Sequence, residues 1–270
     1  MNSWIQRQKA KLDPQSLKPR NNAFKTTPIK DILTALVLII AIIGGEFASR
    51  RIIAMILPTY FDYFFMDLVC LGGFYFVICT VVYLLMGGNR GEKTCYTGFS
   101  LRDWYQRGTF YNAALFIMLS IQIVNRLDVY FFTGINWNPQ VIPVLESIFN
   151  TSFYTNIPLY TESAELAISV VFIIINGVWV PIAEEFLWRG IIQTKLSYYL
   201  PPWTAITIVS IFFSIKHAVV DLVLIRLLFL ISFGITVGWA KQRTNTGIST
   251  SAHIYINLLG TIYWIIQHYL

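Results

Sequence analysis

Trp179-Val180-Pro181-Ile182-Ala183-Glu184-Glu185-Phe186-Leu187-Trp188-Arg189-Gly190 lies inside an apolar run that extends from Leu166 to Leu196. A run of this length exceeds the roughly 20 apolar residues that cross a hydrocarbon core. It nevertheless carries two adjacent carboxylates, and an ionisable group inside a span is costly enough to suggest a function by default. On a helix Glu185 and Arg189 stand at i and i+4 and can pair on one face. Glu184 points about 100° away and is expected to lack that partner. A carboxylate so placed suits a general base or acid. Pro181 removes a backbone donor and should kink or loosen the helix there.

The rest of the chain reads the same way. Hydrophobic residues make up 56% of the 270 and charged residues 13%, against a charged share of roughly 25% in soluble domains. A mean hydropathy of +0.58 excludes a soluble core with a solvated surface. Further apolar spans run over Ile32–Leu57, Tyr63–Met86, Phe110–Asn125, Trp203–Val220, Leu222–Ala240 and Ile248–Tyr269. The expected fold class is an all-α polytopic membrane protein, a bundle of about seven to eight transmembrane helices. The first apolar stretch begins too far in and runs too long for a signal peptide, so it is an uncleaved span. It is interrupted by Gly44-Gly45 and by Glu46 with Arg50, an i,i+4 pair expected to satisfy itself.

Charge gives the orientation. Residues 1–31 hold Arg7, Lys9, Lys11, Lys18, Arg20, Lys25 and Lys30 against Asp13 and Asp31, as expected of a cytoplasmic tail. The 87–108 loop is basic and the 126–165 loop acidic, which puts the first inside and the second outside, the latter read as a lid or interfacial segment. The basic excess is thus read as a membrane-lipid contact and not a nucleic-acid surface. Cys70, Cys79 and Cys95 are too few and scattered for a disulfide framework or zinc finger. Three parts follow: a tail at 1–31, transmembrane helices and loops at 32–164, and a further membrane domain at 165–270.

Two other spans carry polar groups at helical spacing. Phe213 and His217 share one face of the first, and His253 and Asn257 one face of the second. Asp221, four residues after His217, either orients that ring or is a plain interfacial residue. His268 lies at the chain end and reads as interfacial, and Arg226 as a snorkelling side chain. Singly, each of these is ordinary helix glue. Three helices bearing them together point to a site.

Glu-Glu-x-x-x-Arg at Glu184 to Arg189, Phe-x-x-x-His at Phe213 to His217 and His-x-x-x-Asn at His253 to Asn257 resemble, in that order, the CPBP or Abi family. Thr246-Gly247-Ile248 also looks like it, and the resemblance spans about residues 165–268. That family contains CAAX prenyl endopeptidases of the Rce1 type and bacteriocin-processing and self-immunity proteins. The resemblance implies that Glu184 activates the attacking water and that His217 binds or polarises it. His253 and Asn257 would then donate to the developing oxyanion, with Glu185, Arg189 and Phe213 in support. No cofactor is expected. The alternative is zinc held by Glu184, His217 and His253, a familiar ligand set, but Glu184 would then no longer be free to act as the base.

The expected function is an intramembrane endopeptidase acting on a membrane-associated, lipidated or secreted peptide, in a bacterial cell membrane with the N terminus cytoplasmic. The alternative is a non-catalytic bacteriocin self-immunity factor or scaffold that retains the motifs. A proton or ion transporter is a third reading, weakened by the lack of repeats. Glu184 and His253 come out in the inner half of the bilayer, with His217 about 20 Å along its helix. Tilt, the Pro181 kink or a cytosolic start beyond Trp203 is expected to bring them level.

Overall fold

Pro28 opens the first helix, α1 (Pro28–Ile56), where a fixed φ and a missing N–H suit the first turn. Thr27 caps it, its hydroxyl oxygen accepting from the Lys30 N–H at 3.4 Å. In the computed structural model, which describes residues 27–56, 63–86, 162–221 and 227–269, no strand occurs among those residues. Next come α2 (Tyr63–Leu85) and one continuous helical run over 162–197. That run comprises α3 (Glu162–Phe172), a π-helical stretch (Ile173–Trp179), α4 (Val180–Glu184), a second π-helical stretch (Glu185–Gln193) and α5 (Thr194–Ser197). Three helices complete the described bundle: α6 (Pro202–Asp221), α7 (Leu227–Arg243) and α8 (Thr246–Tyr269). Asn245 caps α8, its Oδ1 accepting from the Ile248 N–H at 3.1 Å.

The polarity is that of a membrane protein. Ile29, Leu33, Ile40, Phe76, Leu84 and Leu85 are exposed, whereas Glu46, Glu184, Glu185, Arg189 and Lys216 are buried. Apolar side chains face outward and charged ones face each other, which is the stable arrangement in lipid. Among the described residues four helices are long and apolar enough to cross a membrane: Pro28–Ile52, Phe65–Leu85, Ala167–Ser197 and Pro202–Val220. The fold is all-α and its setting is the membrane. α8 falls below that hydropathy because Thr246, Ser249, Thr250 and His253 turn a polar face inward. The basic tail through residue 26, the 87–108 loop, the expected span Phe110–Asn125 and most of the 126–165 loop lie outside the described residues. So do Arg226 and the side chains of Asp221 and His268.

Two sequence expectations change. The Gly44-Gly45 pair does not interrupt α1, which runs through it. Instead Gly45 lies under the Phe74 ring of α2, where an added Cβ would meet Cε2 at 2.7 Å, so the glycine permits close helix approach. The Glu46–Arg50 pair is also looser than expected, at 3.9 Å. Arg50 turns to Asp67 of α2 through two bonds of 2.7 and 2.6 Å, and Glu46 is left to face the interior.

The 162–197 run is the central helix. Every residue of Glu185–Gln193 is buried, as expected of a helix surrounded by others. Pro181 lies between the two π-helical stretches, so the loosening expected there is present on both sides of it. π-helical turns inside longer helices are frequent at functional sites. The turn at residues 198–201 also removes the apparent difference in depth. Glu184 lies thirteen residues before Ser197 and His217 fifteen after Pro202, about 20 and 22 Å from the turn at 1.5 Å per residue. An antiparallel hairpin brings them level without tilt.

Packing of α6 on α7 relies on small residues. At Gly234 an added Cβ would meet Ser210 Cβ at 2.8 Å and Cα at 3.0 Å, and at Gly238 it would meet Ile206 Cγ2 at 3.0 Å. Glycines four apart form one groove on a helix face and let backbones approach, as membrane helix pairs often require.

Candidate active site

α4 ends on Glu184 and the second π-helical stretch begins on Glu185. Both are buried, because the surrounding helices enclose both faces. Glu185 makes the expected contact with Arg189, at 3.2 Å. The Arg189 guanidinium packs over the Phe213 ring, 4.4 Å from its centre. Phe213 also meets the edges of both histidines, His217 at 4.9 Å and His253 at 6.0 Å between ring centres. The expected supporting residue thus touches three of the other motif side chains.

Glu184 is not the unpartnered carboxylate that helical spacing implied. Its Oε1 accepts from Lys216 Nζ at 2.6 Å and from Tyr75 Oη at 2.9 Å. Lys216 also lies 3.1 Å from Glu46 Oε2, and Tyr75 Oη lies 2.7 Å from the same oxygen. A single hydroxyl hydrogen can serve only one of these two carboxylates at a time. Glu46, Tyr75, Lys216 and Glu184 therefore form one buried network drawn from α1, α2, α6 and α4. Spacing within one helix could not reveal a partner from another, which is why the pairing was missed.

The histidines complete the surroundings of Glu184. His253 Nε2 faces Oε2 at 3.7 Å and His217 Nε2 faces Oε1 at 3.9 Å. The other ring nitrogen of His253, Nδ1, lies 3.0 Å from Glu185 Oε1. Three of the four expected catalytic residues thus meet at one carboxylate. Asn257 takes a different partner: its amide donates to the Asn176 carbonyl at 3.1 Å. Asn176 in turn donates to Thr261 Oγ1 at 2.9 Å. Asn257 Nδ2 carries two hydrogens, so this bond engages only one of them.

The alternative zinc set fits this geometry poorly. Glu184 Oε1 is already held by an ammonium group, which a zinc ion on that oxygen would have to confront or expel. His253 and His217 also face opposite oxygens of Glu184. Among the described residues no three His, Cys, Asp or Glu side chains are grouped to hold a metal ion.

The sequence reading passed over Lys216 and Tyr75, and it paired Glu46 with Arg50. Lys216 had a usable signal, an ionisable residue in an apolar span beside a motif histidine. Tyr75 had none, since a tyrosine in a membrane helix is ordinary.

No curated protein and no solved structure matches the chain. Residues 166–259 match the family described as Type II CAAX prenyl endopeptidase Rce1-like, an interval that contains Glu184, His217, His253 and Asn257. The chain is therefore an integral membrane protein that carries, at residues 166–259, an Rce1-like domain of the CAAX prenyl endopeptidase family.

Proposed function

We propose that the protein is an intramembrane endopeptidase in which water activated by Glu184 hydrolyses a peptide bond of a membrane-associated, lipidated or secreted peptide. The observation that carries this reading is the division of Glu184: Oε1 is bonded to Lys216 and within reach of the Tyr75 hydroxyl, while Oε2 faces His253 across 3.7 Å. That gap exceeds a hydrogen bond. Two bonds of about 2.8 Å meeting at one oxygen bridge a separation of that size. A water held there donates one hydrogen to Oε2 and the other to Nε2.

The tautomer of His253 supports this placement. With Nδ1–H donating to Glu185, the neutral ring presents Nε2 as an acceptor. This placement uses the neutral form of the ring. His253 then helps to hold the water, and the oxyanion donors are His217 and the second hydrogen of Asn257. This exchanges the two histidine roles implied by family resemblance.

In the reaction, Glu184 Oε2 takes a proton as the water oxygen bonds to the peptide carbonyl carbon. The carbonyl oxygen becomes the oxyanion. Glu184 returns the proton to the amide nitrogen, the C–N bond breaks, and a carboxylic acid and an amine leave. No metal is required at any step. The basic residues within 1–31 support a cytoplasmic N terminus, and a bacterial cell membrane is the proposed setting.

The test uses the purified full-length protein in phospholipid vesicles with a quenched-fluorescent peptide ending in a farnesylated CAAX sequence. The wild type should cleave it and Glu184→Gln should not. A wild type that leaves the probe and a panel of secreted peptides intact would favour the self-immunity or scaffold reading.

A further inference from the structure

Lys216 is buried to 1% exposure, and the mechanism above assigns it no proton to move. A lysine in that position must be matched by a carboxylate, and two are in reach. It lies 2.6 Å from Glu184 and 3.1 Å from Glu46. The shorter contact goes to the carboxylate that takes the water's proton, and to one oxygen of it only. Tyr75 donates toward the same oxygen.

We propose that Lys216 is a positioning residue for Glu184: it fixes Oε1, keeps the group a carboxylate, and so reserves Oε2 as the base. The role rests on the peptidase reading for its catalytic meaning, but not for its effect on Glu184. Glu46 of α1 is the counter-carboxylate that holds Lys216 in place, and Tyr75 of α2 shares its task. Both precede residue 166, so the groups that organise the base come partly from helices outside the family match.

Among the described residues, Glu184 is faced by Lys216 and His217 of α6, Tyr75 of α2 and His253 of α8, with Glu46 of α1 on the far side of Lys216 and Tyr75. Glu185 and Arg189 lie on its own helical run and pair with each other. Lys216 is therefore the cation in contact with Glu184. Without it, the Glu184 charge would be left buried with no cation in contact, which is costly.

Lys216→Met alone leaves Glu46 and Glu184 competing for one proton and carries a risk of misfolding. Glu46→Gln with Lys216→Met removes one charge of each sign and keeps the net charge of the wild type. Infrared spectra of the full-length protein in phospholipid vesicles read the protonated-carboxyl C=O band, assigned to Glu184 by its loss on adding Glu184→Gln. The wild type should show no Glu184 band at neutral pH, the double variant should show one, and Lys216→Arg should show none. In the cleavage assay the double variant should lose about a hundredfold in kcat with little change in KM. The acid limb of its rate profile should lie at higher pH.

A double variant without a Glu184 band, or with wild-type kcat, would overturn the proposal, because Lys216 would then merely neutralise Glu46. The infrared result stands whether or not the wild type cleaves the probe. Failure of the peptidase reading is thus distinguishable from failure of this one.

Discussion

His253 Nδ1 lies 3.0 Å from Glu185 Oε1, on the same oxygen that meets Arg189 at 3.2 Å. Glu185 therefore does more than pair with Arg189: it also sets the tautomer and direction of the ring that faces Glu184. The two adjacent glutamates are coupled through a histidine from another helix, and their variants should differ accordingly.

Glu184→Gln should abolish cleavage while the protein largely keeps its thermal stability, since Lys216 retains the Glu46 carboxylate at 3.1 Å. Glu185→Gln should lower both. Breaking a buried ion pair costs about 3–5 kcal/mol when one charge remains, and Arg189 would remain. Loss of a carboxylate that fixes a catalytic histidine is also expensive, by up to about 10⁴ in the serine-protease template. Here a loss on the order of a hundredfold is expected. Thermal unfolding in detergent and cleavage rates, measured on the same preparations, check both. Equal rate loss with unchanged stability would show that Glu185 has no part in holding Arg189.

Gly234 should be intolerant of a side chain. Gly234→Val places carbon against the Ser210 backbone, not against a flexible chain end. Overpacking of this kind costs roughly 1–3 kcal/mol. It should also push α7 from α6, the helix that carries Phe213, Lys216 and His217. The measurement is a lowered unfolding midpoint together with lost cleavage. Gly44→Ala, where an added Cβ meets nothing within 4 Å, should be neutral.

What the sequence disclosed and what it hid follow one physical rule. Periodicity within a helix is local, so four of the expected spans, the Glu185–Arg189 pair and the shared faces of Phe213 with His217 and of His253 with Asn257 were readable. Contacts between helices far apart in the chain were not. Glu46 seemed satisfied by Arg50 because the i,i+4 rule sees no further than one turn, whereas Asp67 of α2 takes that arginine. The Gly234-x-x-x-Gly238 spacing was legible in principle as a close-packing signal. Asn257 was placed by its motif, but its bond to the Asn176 carbonyl depends on a neighbouring helix that spacing alone does not describe.

Asp31 should matter more than its place beside a basic tail suggests. It is fully buried, pairs with Lys195 and accepts from Tyr199 Oη at 2.8 Å, tying the start of α1 to the end of the central helix. Desolvation, then the Asp31 hydrogen bond, pushes the Tyr199 hydroxyl up to about 12. A raised pKa means that the folded state holds this proton more tightly. The contribution is full below the ordinary tyrosine value and is lost as pH rises through about 12. Asp31→Asn should lower the unfolding midpoint at neutral pH and reduce the alkaline fall between about pH 10 and 12. An unchanged alkaline profile would separate Tyr199 from this contact.

Chelation and Asn257 together decide how the oxyanion is stabilised. A zinc site at Glu184, His217 and His253 would need ligand atoms about 2.0–2.2 Å from one centre. It would also have to accommodate the Lys216 ammonium on the same carboxylate. A zinc Lewis acid would polarise the carbonyl and make an amide donor partly redundant. A water-only site has no such substitute, so the second hydrogen of Asn257 is needed. Asn257→Ala should then lower kcat by on the order of a hundredfold or more, with stability reduced only by the lost bond to Asn176. Activity should survive exhaustive chelation. Activity lost to a chelator, restored by stoichiometric zinc and accompanied by a tolerant Asn257→Ala, would replace the glutamate-and-water mechanism while leaving the peptidase assignment in place.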